Sequence, residues 1–502
     1  MKMSRFHESH SSPICCAIAR RLLAPSPSEP VIFCAHFPTK GAITALMINK
    51  EVETAHGSGI RSQAGSGGQG RPAVRLRKPD RDQMTMKVSC PDELVGPGHA
   101  VRTVAQVVSK LDLSKFHEPI KARDGHVGRD ATDPALLVGL WLWGCIRGVG
   151  SARELDRRCR ESRSFMWMCG GVGVNYHLLA DFRVGHAQAL DELFTRVVAS
   201  LVDQGLVKVK RISQDGVRVR ASAGAGSYRG EKRLDQLLDK ARQHVEELGR
   251  QLGDPAAAGG IGARRKAAAK RAAREKVERL EKAMAQLPEL KRKQEKAAAR
   301  KGGKEGKKIA DKPVRVSTTD PEARTMKMPN GGFNPAYNVQ LATDTDSRVI
   351  VAVDVCNEGS DSAGLSQPLR KQAEDRSGGK VEQHLLDGGY LRAQDIEDAH
   401  EQGVELFIPP HTAINPANRG KELEEKPGDS PALIQWKKRM SSEDGKQIYK
   451  ERAATSETVN ADLRSFRGLV QLTVRGIQKS RCVTLWCALA YNLMHFGPAL
   501  LA

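Results

Sequence analysis

The sequence predicts a mixed α/β chain in which a helical region precedes a sheet and a long helical hairpin interrupts that sheet after its first strand. Three observations carry this prediction. Residues 101–205 keep a helical rhythm of apolar positions. Short apolar runs bounded by Gly, Pro and turn residues then recur through residues 209–217 and 337–408, as strands do. Between the first of these runs and the rest lies residues 228–312, a heptad-spaced stretch dense in Lys and Arg.

A chain of 502 residues is long enough for two or three domains. Its net charge of +21 points to a polyanionic partner, and nucleic acid fits, since no lipid-anchoring signal is present. Only 4% of residues are aromatic, which argues against base stacking on single strands as the main binding mode. The ten cysteines form no CxxC and no zinc-finger spacing with His. Reduced, mostly buried thiols in a cytoplasmic protein follow. The longest apolar run, residues 134–146, falls short of the roughly 20 residues that a membrane span needs.

Residues 1–80 mix Ser, Pro, Gly and cysteine without periodicity, and residues 57–70 are a Gly/Ser/Gln linker. The partly apolar residues 14–24 are interrupted by Arg20 and Arg21, against a secretory signal. The reading is a disordered or spurious extension, with Met84 or Met86 as the native start.

Residues 81–206 read as a helical domain. Residues 134–143 are apolar nearly all round, as a central buried helix is. Ser151 and Glu154 have capping-box spacing, and Asn175 caps a helix through Asp181, Phe182 and Arg183. Arg153, Arg157, Arg158, Arg160 and Arg163 cluster here. Taken alone, they leave two readings open: a helix-turn-helix-like DNA-binding module, or a bundle with solvated arginines.

The insertion at 228–312 has one seam of Leu234, Leu238, Ala241, Val245, Leu248 and Leu252. A glycine-rich break at 253–262 separates it from a second seam of Ala273, Val277, Leu280, Met284 and Leu287, which runs to Pro288. Two such seams predict an antiparallel helical hairpin. Its basic faces are either solvated or track DNA phosphates, and the DNA reading is preferred.

Strand periodicity resumes with Tyr337, Val339 and Leu341, and residues 344–347 make a turn. Residues 349–355 are nearly all apolar, as in a central strand. Ser360 or Asp361 caps the next helix, residues 392–402 are helical, and residues 406–408 form a strand stopped by Pro409 and Pro410. Three antiparallel strands followed by parallel strand-helix-strand units are the order of an RNase H-like sheet. It spans residues 207–227 and 313–475, and residues 476–502 form a covering helix.

Two strand-like segments present a carboxylate beside glycine: Asp215-Gly216 within residues 209–217, and Asp387-Gly388-Gly389-Tyr390, whose glycines let the backbone turn tightly. A third acid, Glu457, lies in the helical series Tyr449, Arg452, Glu457, Arg464. Each acid alone is an ordinary turn or surface residue. The three in this order are not. The Asp-Gly, the Asp-x-Gly-Tyr and the Tyr-x2-Arg-x4-Glu-x6-Arg resemble the catalytic elements of DDE transposases of bacterial insertion sequences. Related members carry three or four residues between Arg and Glu, and more often Lys where Arg464 keeps the charge. The resemblance covers roughly residues 75–500, and residues 133–186 are close to the helical N-terminal domain of such proteins, which tips that region toward DNA binding.

The resemblance implies that Asp215, Asp387 and Glu457 are catalytic and hold two Mg2+ ions, with Mn2+ able to substitute. It implies that Tyr449, Arg452 and Arg464 contact transposon-end DNA, and that the protein acts on inverted terminal repeats and a target duplex as a homo-oligomer. The chemistry is coherent: hard divalent cations take oxygen ligands, and a pair of them serves in-line displacement at phosphorus. Asp320, in a further element resembling the family, reads as a structural N-cap or turn residue. The competing readings are a catalytically silent DNA-binding derivative and an RNase H-like nuclease without strand transfer.

Overall fold

The computed structural model describes residues 90–501 apart from 124, 126–128, 253–259 and 414–415. The expected N-terminal extension, its start at Met84 or Met86 and most of the break at 253–262 lie outside the described residues.

Apart from the single turns Pro91–Leu94 and Ser114–His117, six helices come first: α1 Ala100–Lys110, α2 Pro134–Ile146, α3 Ala152–Glu161, α4 Arg163–Cys169, α5 Tyr176–Gly185 and α6 Ala187–Asp203. Pro134 stands at the first helical position of α2, where its missing N–H costs nothing, and Asp133 accepts from the Ala135 N–H at 2.8 Å. Both indoles of α2 are buried but satisfied, Trp141 donating to the Leu179 carbonyl at 3.0 Å and Trp143 to Ser164 Oγ at 3.2 Å. Asn175 caps α5 through the Leu178 N–H at 3.0 Å.

The predicted capping box does not form. Ser151 makes no side-chain cap, and the Glu154 carboxylate that would complete the box instead bonds Arg157 at 2.6 Å and Arg158 at 2.8 Å. Arg157 also meets Glu161, Arg160 meets Asp156, and Arg153 lies over the Tyr176 ring. Most of the arginine cluster is therefore neutralised on its own helix.

The insertion is a hairpin of α7 Glu231–Leu252 and α8 Gly260–Lys301, with α9 Gly303–Ala310 turned back against α8. Leu234, Leu238 and Ala241 pack on Leu280, Ala283 and Leu287, and Val316 from the base closes the seam. Arg242–Glu281 and Lys291–Glu231 pairs, at 2.8 and 2.7 Å, span the two limbs and agree with an antiparallel register. The second limb does not stop at Pro288 but runs through it to Lys301. An interior proline costs about 3 kcal/mol, which the burial of Leu287 and Leu290 on either side offsets.

The sheet has six strands: β1 Arg211–Arg220, β2 Arg324–Lys327, β3 Phe333–Asp344, β4 Ile350–Cys356, β5 Gln383–Leu385 and β6 Glu405–Phe407. β1 is central, antiparallel to β3 and parallel to β5, and β6 continues in parallel on β5. β2 and β4 share the far edge of β3, both antiparallel to it. The helices that follow are α10 Ser366–Ser377, α11 Ala393–Glu401, α12 Pro431–Ser441, α13 Glu443–Arg452, α14 Thr458–Ser465 and α15 Ile477–Phe496.

β4, expected to be central, pairs among the described residues only with β3. Its apolar run is explained by α10 and α15, which pack on it. Asn492 of α15 also serves the strand's backbone, accepting from the Ile350 N–H at 3.0 Å and donating to its carbonyl at 2.9 Å. Asp320 is structural, its Oδ1 accepting from Tyr337 Oη at 2.8 Å and from the Gly476 N–H at 3.2 Å, which ties β3 to the start of α15. Among the described residues no cysteine is in a disulfide, and no helix is long and apolar enough to cross a membrane.

Candidate active site

Side chains alternate along β1, so Ser213, Asp215 and Val217 share one face while Gln214, Gly216 and Arg218 share the other. Ser213 pairs with Leu385 across the parallel β1–β5 ladder. Asp215 and Asp387 each lie two residues beyond that rung, which places them at one level of the sheet. Asp387 opens a single 3-10 turn, Gly388–Tyr390, with its Oδ1 accepting from the Gly389 N–H.

Glu457 arrives from the other direction. Its segment is anchored by the buried Thr455 and Ser456, and Ser456 Oγ meets Ser213 Oγ at 2.5 Å. Arg452 and Glu457 are five residues apart, which on a plain α-helix would set them about 140° from one another. Residues Ala453–Glu457 instead form one π turn, whose wider ring returns Glu457 to the side of Arg452. Tyr449 lies one turn before Arg452 and is half-buried, and Arg464 is exposed two turns beyond Glu457.

The three acids meet at Arg452. Its guanidinium lies 3.2 Å from Asp215 Oδ1, 3.8 Å from Asp387 Oδ2 and 3.9 Å from Glu457 Oε1, and the side chain is only 12% exposed. Asp215 is the most enclosed of the three acids. Burial pushes its carboxyl above the usual range, Arg452 and the Gly216 N–H pull it back, and Asp387 and Asp361 add to the rise. Its other oxygen, Oδ2, accepts from Asn460 Nδ2 at 2.8 Å.

Three carboxylates around one cation are a hard-oxygen donor set of the kind that divalent ions take. In the arrangement seen, among the described residues, no three His, Cys, Asp or Glu side chains stand close enough to share an ion. Arg452 takes that centre. Asp215, Asp387 and Glu457 each stand within 4 Å of that guanidinium.

The sequence reading missed several members of the site. Asn460 lies three residues after Glu457, and its position on one helical face with that acid was a usable signal. Asn338 and Gln340 are buried in β3, where alternation alone would have placed solvated residues. Asp361 does not cap a helix, since α10 begins at Ser366 without a side-chain cap. Its carboxylate turns to the sheet and accepts from Arg218, Asn338 and Gln340. Gly388 and Gly389 do open the expected tight turn, a single 3-10 turn in which neither has positive φ.

Residues 301–493 match a family model described as a transposase DDE domain, and residues 89–184 match one described as a transposase domain (DUF772). Together the two stretches cover more than half of the chain. Asp387 and Glu457 lie inside the first, and Asp215 lies outside both. Neither the curated proteins nor the solved structures gave a match.

Proposed function

Because this chain belongs to the DDE transposases of insertion sequences, we propose that it binds the inverted ends of its element, cleaves them in a metal-dependent reaction and joins the freed strands to a target duplex. The observation that carries this reading is the convergence of Asp215, Asp387 and Glu457 on one buried guanidinium. A silent DNA-binding derivative would have no reason to retain three costly, mutually repelling acids at one point.

The order of the sheet supports an RNase H-like catalytic domain over residues 207–227 and 313–475. The helical region at 81–206 is the candidate for recognising the terminal repeats. Asp215, Asp387 and Glu457 would hold two divalent cations, Mg2+ or Mn2+. Such a pair, when bound, activates the attacking oxygen and stabilises the leaving one.

The chain's own residues do the rest. Arg452 neutralises the acids in the DNA-free protein and turns from them to a backbone phosphate of the transposon end when DNA enters. Its planar fork suits either partner, since carboxylate and phosphate offer the same spacing of acceptors. Tyr449 and the exposed Arg464 flank it and extend the contact along the same strand. Asn460 keeps Asp215 oriented through Oδ2, while Oδ1 accepts from the Gly216 N–H at 3.0 Å and meets Arg452. The active form is a DNA-bound homo-oligomer.

The test is cleavage of a duplex carrying the element's end, with Mg2+ or Mn2+, followed by joining to a second duplex. Nicking and joining that both require the metal support the reading. Nicking without joining would make the protein a nuclease, and DNA binding without nicking would leave it a silent derivative.

A further inference from the structure

Each acid on the sheet has a glycine close by, Gly216 beside Asp215 and Gly389 two residues beyond Asp387. Neither glycine has positive φ, so conformation does not demand them. Space does. A Cβ at position 216 would lie 2.5 Å from Gln340 Nε2, 2.6 Å from Asp361 Oδ1 and 2.8 Å from Asn338 Oδ1. A Cβ at 389 would lie 2.9 Å from Asp387 Oδ1 and 3.7 Å from Asp361. Asp361 is thus lodged between the two backbones that carry the acids, on the face of β1 opposite the Asp215 side chain.

Its carboxylate is 12% exposed and fully engaged. Oδ1 accepts from Asn338 Nδ2 at 2.6 Å and Gln340 Nε2 at 3.1 Å, and Oδ2 accepts from Arg218 Nη2 at 3.0 Å. Gln340 is the shared member. With its NH2 committed to Asp361, its Oε1 accepts from Tyr390 Oη at 2.5 Å and from Gln214 Nε2 at 2.8 Å. Tyr390 belongs to the Asp387 turn, and Gln214 precedes Asp215. Reversing the Gln340 amide would set acceptor against acceptor at Asp361 and donor against donor at Gln214, and only the Tyr390 hydroxyl could adapt by accepting. An anion at 361 therefore fixes the amide, and the amide ties the Asp387 turn to the Asp215 strand.

We propose that Asp361 is a positioning residue that sets the separation of Asp215 and Asp387, and through it the affinity of the site for divalent metal. The inference rests on the reading that these acids hold the metal. Residues behind metal ligands commonly change affinity or activity by about 10–100-fold when altered.

The experiment is Mn2+ binding by the full-length protein without DNA, measured by the electron spin resonance of free Mn2+. Asp361→Asn and Tyr390→Phe are expected to weaken Mn2+ binding by about tenfold. The Mn2+ concentration for half-maximal end cleavage should rise by a similar factor, with affinity for end DNA within about twofold of the parent. Gly216→Ala alters no polar group yet presses on Asp361 and Gln340, so it should copy Asp361→Asn, and it serves where the latter does not fold. Asp215→Asn is the control. If it abolishes Mn2+ binding while the other folded variants bind normally, the positioning role is wrong and the metal reading stands. If Asp215→Asn itself binds Mn2+ normally, the metal reading falls and the inference with it.

Discussion

The carboxylate site and the second limb of the hairpin handle charge in opposite ways. At the site every acid has a cation or a donor within reach: Arg452 for three of them, Arg218 for Asp361, Asn460 for the second oxygen of Asp215. Along α8 and α9, residues 260–310 carry 18 Lys and Arg against 6 Asp and Glu, a balance of +12 within a chain of +21. The first limb, residues 231–252, is balanced at 5 and 5. Lys266, Lys270 and Arg274, and again Arg292, Lys296 and Arg300, repeat like charges at helical neighbours with no ion pair among the described residues. Each such i, i+4 repeat costs a few tenths of a kcal/mol, roughly what an opposite pair would gain. The folded protein thus meets the needs of its acids internally and leaves its basic limb with a surplus of 12 cations.

The largest effect should come from the acids. Asp215→Asn, Asp387→Asn and Glu457→Gln are each expected to lower end cleavage by about 10³-fold or more, while DNA affinity stays near that of the parent. The three should fail alike, and combining two should add little, because the acids act as one unit. A variant that cuts at near the normal rate in Mg2+ and Mn2+ would remove that residue from the site.

Arg452→Gln separates the two kinds of charge most directly. With the guanidinium gone, the three acids lose their internal cation, and Mn2+ binding without DNA should tighten by about tenfold, or ~1.4 kcal/mol. Cleavage should nevertheless fall about 10²-fold, since the scissile strand loses a positioning contact. Unchanged Mn2+ affinity would mean that the guanidinium does not occupy the space of the metal.

Replacing Arg264, Arg265, Lys266, Lys270 and Arg271 with Gln should weaken binding to all duplexes similarly. The slope of log affinity against log salt should flatten by about 0.9 for each phosphate contact removed. An unchanged slope would return the limb to a purely structural role. The smallest effects test the helical region, where one cap forms and another does not. Asn175→Ala should cost about 1 kcal/mol in denaturant unfolding, and Ser151→Ala less than about 0.5 kcal/mol.

Local pattern made much of this molecule legible. The apolar rhythm of residues 134–146 produced α2, and the apolar tail produced α15 over Ile477–Phe496, because burial along one element repeats with its own period. Asp215 and Asp387 could be picked out because each stands beside glycine in or after a strand-like segment, although β1 runs on to Arg220 and Asp215 therefore lies at its middle. What the pattern misjudged was pairing. Residues 349–355 read as a central strand, since two covered faces look the same in sequence whether the cover is another strand's neighbour or a helix.

The amino-acid sequence by itself determined which segments are helices and strands, which residues are acids, and where surplus positive charge lies. Tertiary structure alone decided what those charges face. Asp215 and Asn460 are 245 residues apart, and Gln340 and Tyr390 are 50 apart. Their meeting depends on strand register and on the single π turn that restores Glu457 to Arg452. Periodicity reports whether a position is buried against something. It carries no term for which distant polar group that something is, and at this site the identity of the partner decides where each acid stands.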